Sequence, residues 1–385
     1  MSTNPYVLYG TPHSLYTGKV RSYLRKKGLA FVERCPSSPD FRQRIIPTLR
    51  HVVVPVVETP DGALLQDSTE IIEWFEAACP APAMVPPGPV QAVVASFIDG
   101  FGCEALLPAA MHYRWTFRSE QETFLAAEFG RGVYAGPDRD QQRRAGADVM
   151  AYFNSFLPGL GIVPGTTAAF EAAYLELLDA LDVHLQQWPY LLGGHPSIAD
   201  FGLMAPLYAH LGRDPVPATI MKNRAPNVFR WTERMNAPGI VDPEFFRVPA
   251  GWLADDAIPP SLEAVLEVMF RDWTPELEAN AARYAAWLDA DPARPAGTPV
   301  TAGQDRKIHP TLGPIEYPWR GVTVRRASAP HGLWHFERAA ASARALAGAD
   351  RDRLEALLAR TGGARAMALR LARPLQRRDY LLVLG

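Results

Sequence analysis

Ser14 and Thr17 stand three apart in the segment TPHSLYT, residues 11–17, between a short apolar run and a stretch with helical spacing. Thiol redox proteins carry a Cys-x-x-Cys pair at such a strand-to-helix junction. Neither hydroxyl can supply the thiolate that disulfide exchange needs, so that chemistry is excluded here. A hydroxyl at a helix N-terminus can cap the helix, or donate to an anion that the helix dipole also favours. A second such place is Asp67-Ser68, at the head of DSTEIIEWFEAA. Ser68 has N-cap chemistry, and the free N–H groups of a helix start can hold a carboxylate. Asp67 would supply a counter-charge to an ammonium. A group with adjacent carboxylate and ammonium is the α-end of an amino acid.

Between these two places, Pro55 interrupts the apolar run of residues 52–57. A proline within a central strand deletes a ladder donor, which reads as an edge or a turn. The other reading is a cis Val54-Pro55 peptide, because only X-Pro bonds take cis at modest cost. Val54 would then keep its backbone N–H and C=O open to a peptide-like ligand pairing as an added strand.

These residues need elements to hold them. YVLYG reads as a strand, LYTGKVRSYLRKKG as a helix ending at Gly28, and LAFVERC as a second strand. Residues 40–49 read as a loop or short helix. HVVVPVVET and GALLQ form a hairpin around PDG, and DSTEIIEWFEAA is an amphipathic helix. The order is β-α-β-(α)-β-β-α over residues 1–78. A Pro-rich linker follows at 79–90, where prolines fix φ and remove donors. Residues 91–240 read as all-helical. In the best of these helices Phe170, Tyr174, Leu177, Leu178, Leu181 and Leu185 recur every three or four residues.

Residues 241–385 form a mixed α+β extension of unassigned role. SLEAVLEVMFRDW and PELEANAARYAAWLDAD read as two helices, WHFERAAASARALAG and DRDRLEALLART as two more, and GVTVRRA, AMALRLAR and YLLVLG as strands. HPTLGPIEYPWRG, with His309, Glu316, Tyr317 and Arg320, lies in a Pro/Gly-rich passage and reads as a connector. The basic RPLQRRD reads as a solvated face.

The chain has 385 residues with 39 Lys plus Arg against 41 Asp plus Glu, a net charge of −2. That balance offers no field for nucleic acid or an anionic membrane. The three cysteines, Cys35, Cys79 and Cys103, show neither a CxxC nor a metal-ligand spacing, which fits a reducing compartment and no metal. The N-terminus lacks a secretory pattern and no run reaches the ~18 apolar residues of a membrane span, so the expectation is a cytoplasmic protein.

LYGTPHSLYTGKVRSYL, then VVVPVVETPDGALLQDSTEIIEWF, then YLLGGHPSIADFGLMAPLY stand in this order. Together they resemble the glutathione S-transferase family: a thioredoxin-like domain followed by an all-helical domain. In the third, Ser197 and Asp200 form a structural capping box. The resemblance implies glutathione as co-substrate, with its cysteinyl backbone at Val54 and Pro55 and its γ-glutamyl end at Asp67 and Ser68. Ser14 would hold the thiolate, with Tyr9, Thr11, Tyr16 and Thr17 as rivals. A hydrogen bond to a charged group contributes ~1.5–3 kcal/mol. At ~1.4 kcal/mol per unit, that brings a thiol from ~8.5 to roughly 6.5–7.5. The approach to the proline, LRHVVVP, departs from the family's short Gly-Lys-Val-Pro, and Arg50 or His51 would meet the glycine carboxylate.

The resemblance places a small electrophile beside the segment FIDGFGCEALLPAAMHYRWTF, with Phe97, Phe101, Leu107, Met111 and Trp115 as an apolar wall or as helix–helix core. Tyr16, Met111, Arg114 and Trp115 are the candidate pocket residues. Arg114 has two readings, a structural cation and an anion anchor. His112 reads as a satisfied polar residue and Cys103 as a small buried apolar one. The family also implies a homodimer. Two other functions share these residues: a non-catalytic binding or scaffold protein, and a glutathione-dependent isomerase or dehalogenase.

Overall fold

The strand β1 (Tyr6–Tyr9) is a run of aromatic and branched side chains whose last two, Leu8 and Tyr9, are fully buried. In the computed structural model, which describes residues 5–240, 242–303 and 310–385, it is one of the two inner strands of its sheet. α1 (Leu15–Lys26) crosses over to β2 (Phe31–Arg34), which pairs parallel with β1. A π-helical turn (Phe41–Ile45) runs into α2 (Ile46–Leu49). β3 (Val56–Glu58) then pairs antiparallel with β1, Leu8 opposite Val57, and β4 (Leu64–Gln66) closes the order β2-β1-β3-β4. α3 (Ser68–Ala78) packs on α1 through Tyr23, Ile71, Ile72 and Phe75. The thioredoxin-like fold is therefore present.

The passage after α3 is not a free tether. Met84 is fully buried, its N–H donates to Glu76, and its carbonyl accepts from Ile198. α4 (Pro89–Gly100) starts inside the segment read as linker. A second π-helical turn (Phe101–Ala105) leads into α5 (Leu107–Trp115). Then come α6 (Arg118–Val133), α7 (Arg139–Asn154), α8 (Thr167–Leu185), α9 (Ile198–Ala209), α10 (Pro215–Arg224) and α11 (Pro226–Asn236). The stretch Pro89–Trp115 is long and apolar enough to cross a membrane by length and composition, contrary to the sequence expectation, but 72% of its most apolar window is buried against protein. The Ser197–Asp200 capping box forms, and Asp200 also accepts from the Leu191 N–H and the Trp231 indole. α4 and its π-turn cross α9 where Gly102 meets Gly202. A Cβ on Gly202 would stand 2.4 Å from Asp99 Cα, so only glycine permits the crossing.

The extension differs from its sequence reading in four places. One helix, α12 (Pro260–Asp289), runs through Pro275 where two were expected. The connector segment contains β5 (Pro314–Trp319), which pairs antiparallel with β6 (Val322–Ala327); His309 lies outside the described residues. After α13 (Pro330–Ala345) and α14 (Gly348–Arg360), AMALRLAR holds no strand. Its start completes the short α15 (Gly363–Met367) instead. The basic RPLQRRD supplies β7 (Leu375–Arg378), which forms a hairpin with β8 (Leu381–Leu384). One apolar cluster joins all three regions: Leu8 and Phe75, Phe97 and Leu178, Phe270 and Phe336 are members of it.

Candidate functional site

Ser14 is the N-cap of α1 and half-buried, with extended φ/ψ of −87° and 122°; its Oγ accepts from the Thr17 N–H at 3.3 Å. That bond uses a lone pair and leaves the hydroxyl proton free to donate. The rival hydroxyls have other partners or no access. Tyr9 is fully buried and donates to Glu58 Oε2 at 3.1 Å. Tyr16 donates to the Cys103 carbonyl at 3.2 Å, and burial pushes its phenol well up. Thr11 and Thr17 are buried.

The Val54-Pro55 peptide is cis. The β1–β3 pairing ends at Tyr9 opposite Val56, so Val54 lies just outside the ladder. Arg50 caps α2 with a left-handed φ of 59° and is exposed, while His51 is buried.

Asp67 takes φ 81°, a left-handed backbone that places its carboxylate over the start of α3. Oδ1 accepts from the Thr69 N–H at 2.9 Å and the Glu70 N–H at 3.4 Å. Asp67, not Ser68, is thus the N-cap; Ser68 is the first helical residue and buried. Burial pushes the Asp67 carboxyl up, but the surrounding cations, Arg377 foremost, together outweigh it and hold the group at about 2. Lys19, one turn into α1, donates to Thr69 Oγ1 at 3.0 Å, which sets the N-terminal ends of α1 and α3 side by side.

Lys19 was not singled out in the sequence, although a cation beside Val20, Tyr23 and Leu24 on the buried stripe is a signal. Its ammonium pairs with Asp99 Oδ1 at 2.6 Å and donates to Cys103 Sγ at 3.3 Å. Burial works against the charge, yet Asp99 raises the Lys19 pKa on balance. Cys103 is therefore not an inert apolar residue but a partner in a buried polar cluster. Burial keeps its thiol protonated. Glu104 and His335, 3.8 Å apart, complete this cluster. Burial pushes the Glu104 carboxyl up to about 8 and the His335 imidazole down to about 3, so both are neutral near pH 7.

The candidate pocket residues do not gather around an open cleft. Arg114 is 2% exposed, its Nε and Nη2 bind Asp214 at 2.6 and 2.9 Å, and it donates to the His13 and Ala209 carbonyls. It is a structural cation. Met111 and Trp115 are buried in a second core with Phe129, Phe170 and Trp319. His112 is neutral through burial, its ring nitrogens paired with Thr116 and Glu171. Phe97 packs on Phe270 and Phe336, and Phe101 on Trp273, so the extension covers the expected apolar wall. A cavity of about 40 Å³ between Phe101, Tyr174 and Trp319 remains there, room for a water rather than an organic electrophile.

Arg377 of β7 is the residue that the sequence reading missed most completely. Read as a solvated charge, its side chain is 4% exposed. Nη2 donates to Gln66 Oε1 at 2.6 Å and Nε to Glu70 Oε2 at 3.0 Å. Nη1 donates to His331 Nε2 at 3.1 Å and lies 3.8 Å from Asp67 Oδ2. A cleft of about 350 Å³ remains beside it, between Gln66, Glu70 and Trp74 on one wall and Arg378 and Tyr380 on the other. Among the described residues, no group of three or more His, Cys, Asp or Glu is placed to hold a metal ion.

Two family models match the chain. Residues 8–83 match the glutathione S-transferase N-terminal domain, and residues 164–234 match the glutathione S-transferase C-terminal domain. No curated protein matches. Among solved structures, a glutathione S-transferase from Methylobacterium radiotolerans, complexed with glutathione sulfonate, is 22% identical; the alignment covers 66% of this chain and 100% of that one, with a TM-score of 0.36. A glutathione S-transferase from Xanthobacter autotrophicus is 23% identical over 62% of this chain and 95% of that one, also at 0.36.

Proposed function

We infer, from the match of residues 8–83 and 164–234 to glutathione S-transferase domain models, that this chain is a glutathione transferase-like protein whose groove takes the tripeptide along β3 and onto the starts of α1 and α3. The cysteinyl backbone pairs with Val54 beside Pro55. The γ-glutamyl carboxylate lies on the Ser68 end of α3, and its ammonium faces Asp67. The thiol reaches Ser14, whose free proton and helix dipole favour the thiolate. The thiolate would then be the nucleophile toward an electrophile that reaches it from the open side of the groove, because the wall at Phe97 and Phe101 is covered. The observation that supports this reading best is the Lys19–Thr69 bond, which draws two helix N-termini together. One offers a free hydroxyl proton and the other a preset carboxylate.

A non-catalytic binding or scaffold protein is the second reading, favoured by the extension over Phe97 and Phe101. Calorimetric titration with glutathione, combined with ultraviolet titration of the bound thiol, separates the two. The transferase reading expects binding and a thiol lowered by roughly one to two units. Ser14→Ala should return the thiol toward its free value with folding changed only by a lost cap of ~1 kcal/mol. Asp67→Ala should weaken binding more than it lowers the rate at saturation. Binding with an unshifted thiol would give the scaffold reading its support; no binding would remove glutathione altogether.

A further inference from the structure

The β7–β8 hairpin has a fixed back and a displaceable front. At the back, the Val300 N–H donates to the Leu382 carbonyl at 2.9 Å, the Leu384 N–H to Thr298 at 2.9 Å and the Gly297 N–H to Leu384 at 2.7 Å. At the front, Arg377 meets Gln66, Asp67 and Glu70 by charge and hydrogen bonding alone. The turn between the strands has positive φ at both central residues, 51° at Asp379 and 64° at Tyr380. Glycine or asparagine suits such a turn; a tyrosine there is strained. Tyr380 packs against the core patch of Tyr9, Phe41 and Val56, on which Val53, Val54 and Leu64 also rest.

We propose that this hairpin is a latch over the γ-glutamyl end of the groove, with the Arg377 guanidinium standing in the slot that a ligand ammonium would take. The proposal rests on the glutathione reading above and names how that site is controlled. Two cations within ~4 Å of one carboxylate pair repel each other, so the ammonium of a γ-glutamyl group and Arg377 exclude one another. Tyr380 rests on the same core patch as Val53 and Val54, beside which the cysteinyl backbone would pair. The cleft of about 350 Å³ beside Gln66 and Trp74 gives the displaced arginine a place to go. The chain thus carries its own competitor for the ligand's amino end, and glutathione binds to the fraction of molecules in which the latch is open. Apparent affinity falls by that fraction, so a latch closed in nine molecules of ten weakens binding about tenfold.

The test is calorimetric titration of wild type, Arg377→Gln and Arg377→Met with glutathione and with its analogue lacking the α-amino group. Both variants should bind glutathione about tenfold more tightly than wild type. The analogue brings no competing cation and should gain nothing from either substitution. In wild type, saturating glutathione should speed amide exchange in residues 375–378. Measurable binding by wild type with no gain in a folded variant overturns the latch and leaves the glutathione reading intact. Equal gains for glutathione and the analogue overturn the ammonium slot. No binding by wild type or by a folded variant overturns the latch together with the reading beneath it.

Discussion

Glu104 shows how burial sets the chemistry of single residues in this protein. Its side chain is 12% exposed and its carboxyl is pushed up to about 8, by burial first and then by Asp67 and Glu276. Between its ordinary value of 4.5 and about 8, the unfolded chain has released this proton and the folded chain still holds it. Stability therefore falls as pH rises through that window, by about 1.4 kcal/mol per unit if the group acts alone. Glu104→Gln removes the titration. The variant's melting temperature relative to wild type should rise between about pH 5 and about pH 8. An unchanged difference across that range would mean the carboxylate is charged in the folded state. Residues of this kind are hard to read from a sequence. Glu104 looks like an ordinary surface charge until α13 brings His335 to within 3.8 Å of it in the interior.

Elements were legible where pattern and local chemistry agreed. β1, α1, β3, β4, α3 and the capped start of α9 follow from apolar periodicity, caps and turn residues that lie within a few positions of one another. They were illegible where the deciding partner is distant. β5 alternates exposed and buried residues through PIEYPW, but Pro314 and Pro318 disguise it as a connector. β7 has arginines where a strand would be expected to carry apolar residues, and the partners of Arg377, Gln66 and Glu70, lie more than three hundred positions away. At α12 two helices were expected, yet packing of Trp273, Leu277 and their neighbours carries one helix through Pro275. The ring removes the N–H that the Arg271 carbonyl would otherwise receive. Pro275→Ala should therefore stabilise the protein by roughly 1–2 kcal/mol, the ~3 kcal/mol propensity difference less the packing of a half-buried ring. Denaturant unfolding measures it, and a loss of stability would show that the ring's contacts outweigh the backbone.

At the scale of the whole molecule, the two family segments and the extension share one core, so the extension is part of the body and not an appendage. α12 and α13 cover α4 and the turn after it through Phe270, Trp273 and Phe336. A chain ending at residue 240 would leave Phe97 and Phe101 facing water over a contiguous apolar strip. It should be recovered aggregated, as judged by light scattering after gel filtration. A monodisperse, folded product would show that the first two regions bury enough surface by themselves. The resemblance read from the sequence reached the first two regions and was silent on the third, since nothing in three short motifs encodes what covers them.

Gln66 and Arg377 meet across 311 positions of sequence. At translation rates of ~5–20 residues per second, the first emerges from the ribosome roughly 15 to 60 seconds before the second. During that interval β4 and the start of α3 have no arginine beside them. A newborn chain would thus lack the latch altogether, whereas the finished protein uncovers the groove only in the fraction of molecules whose latch is open.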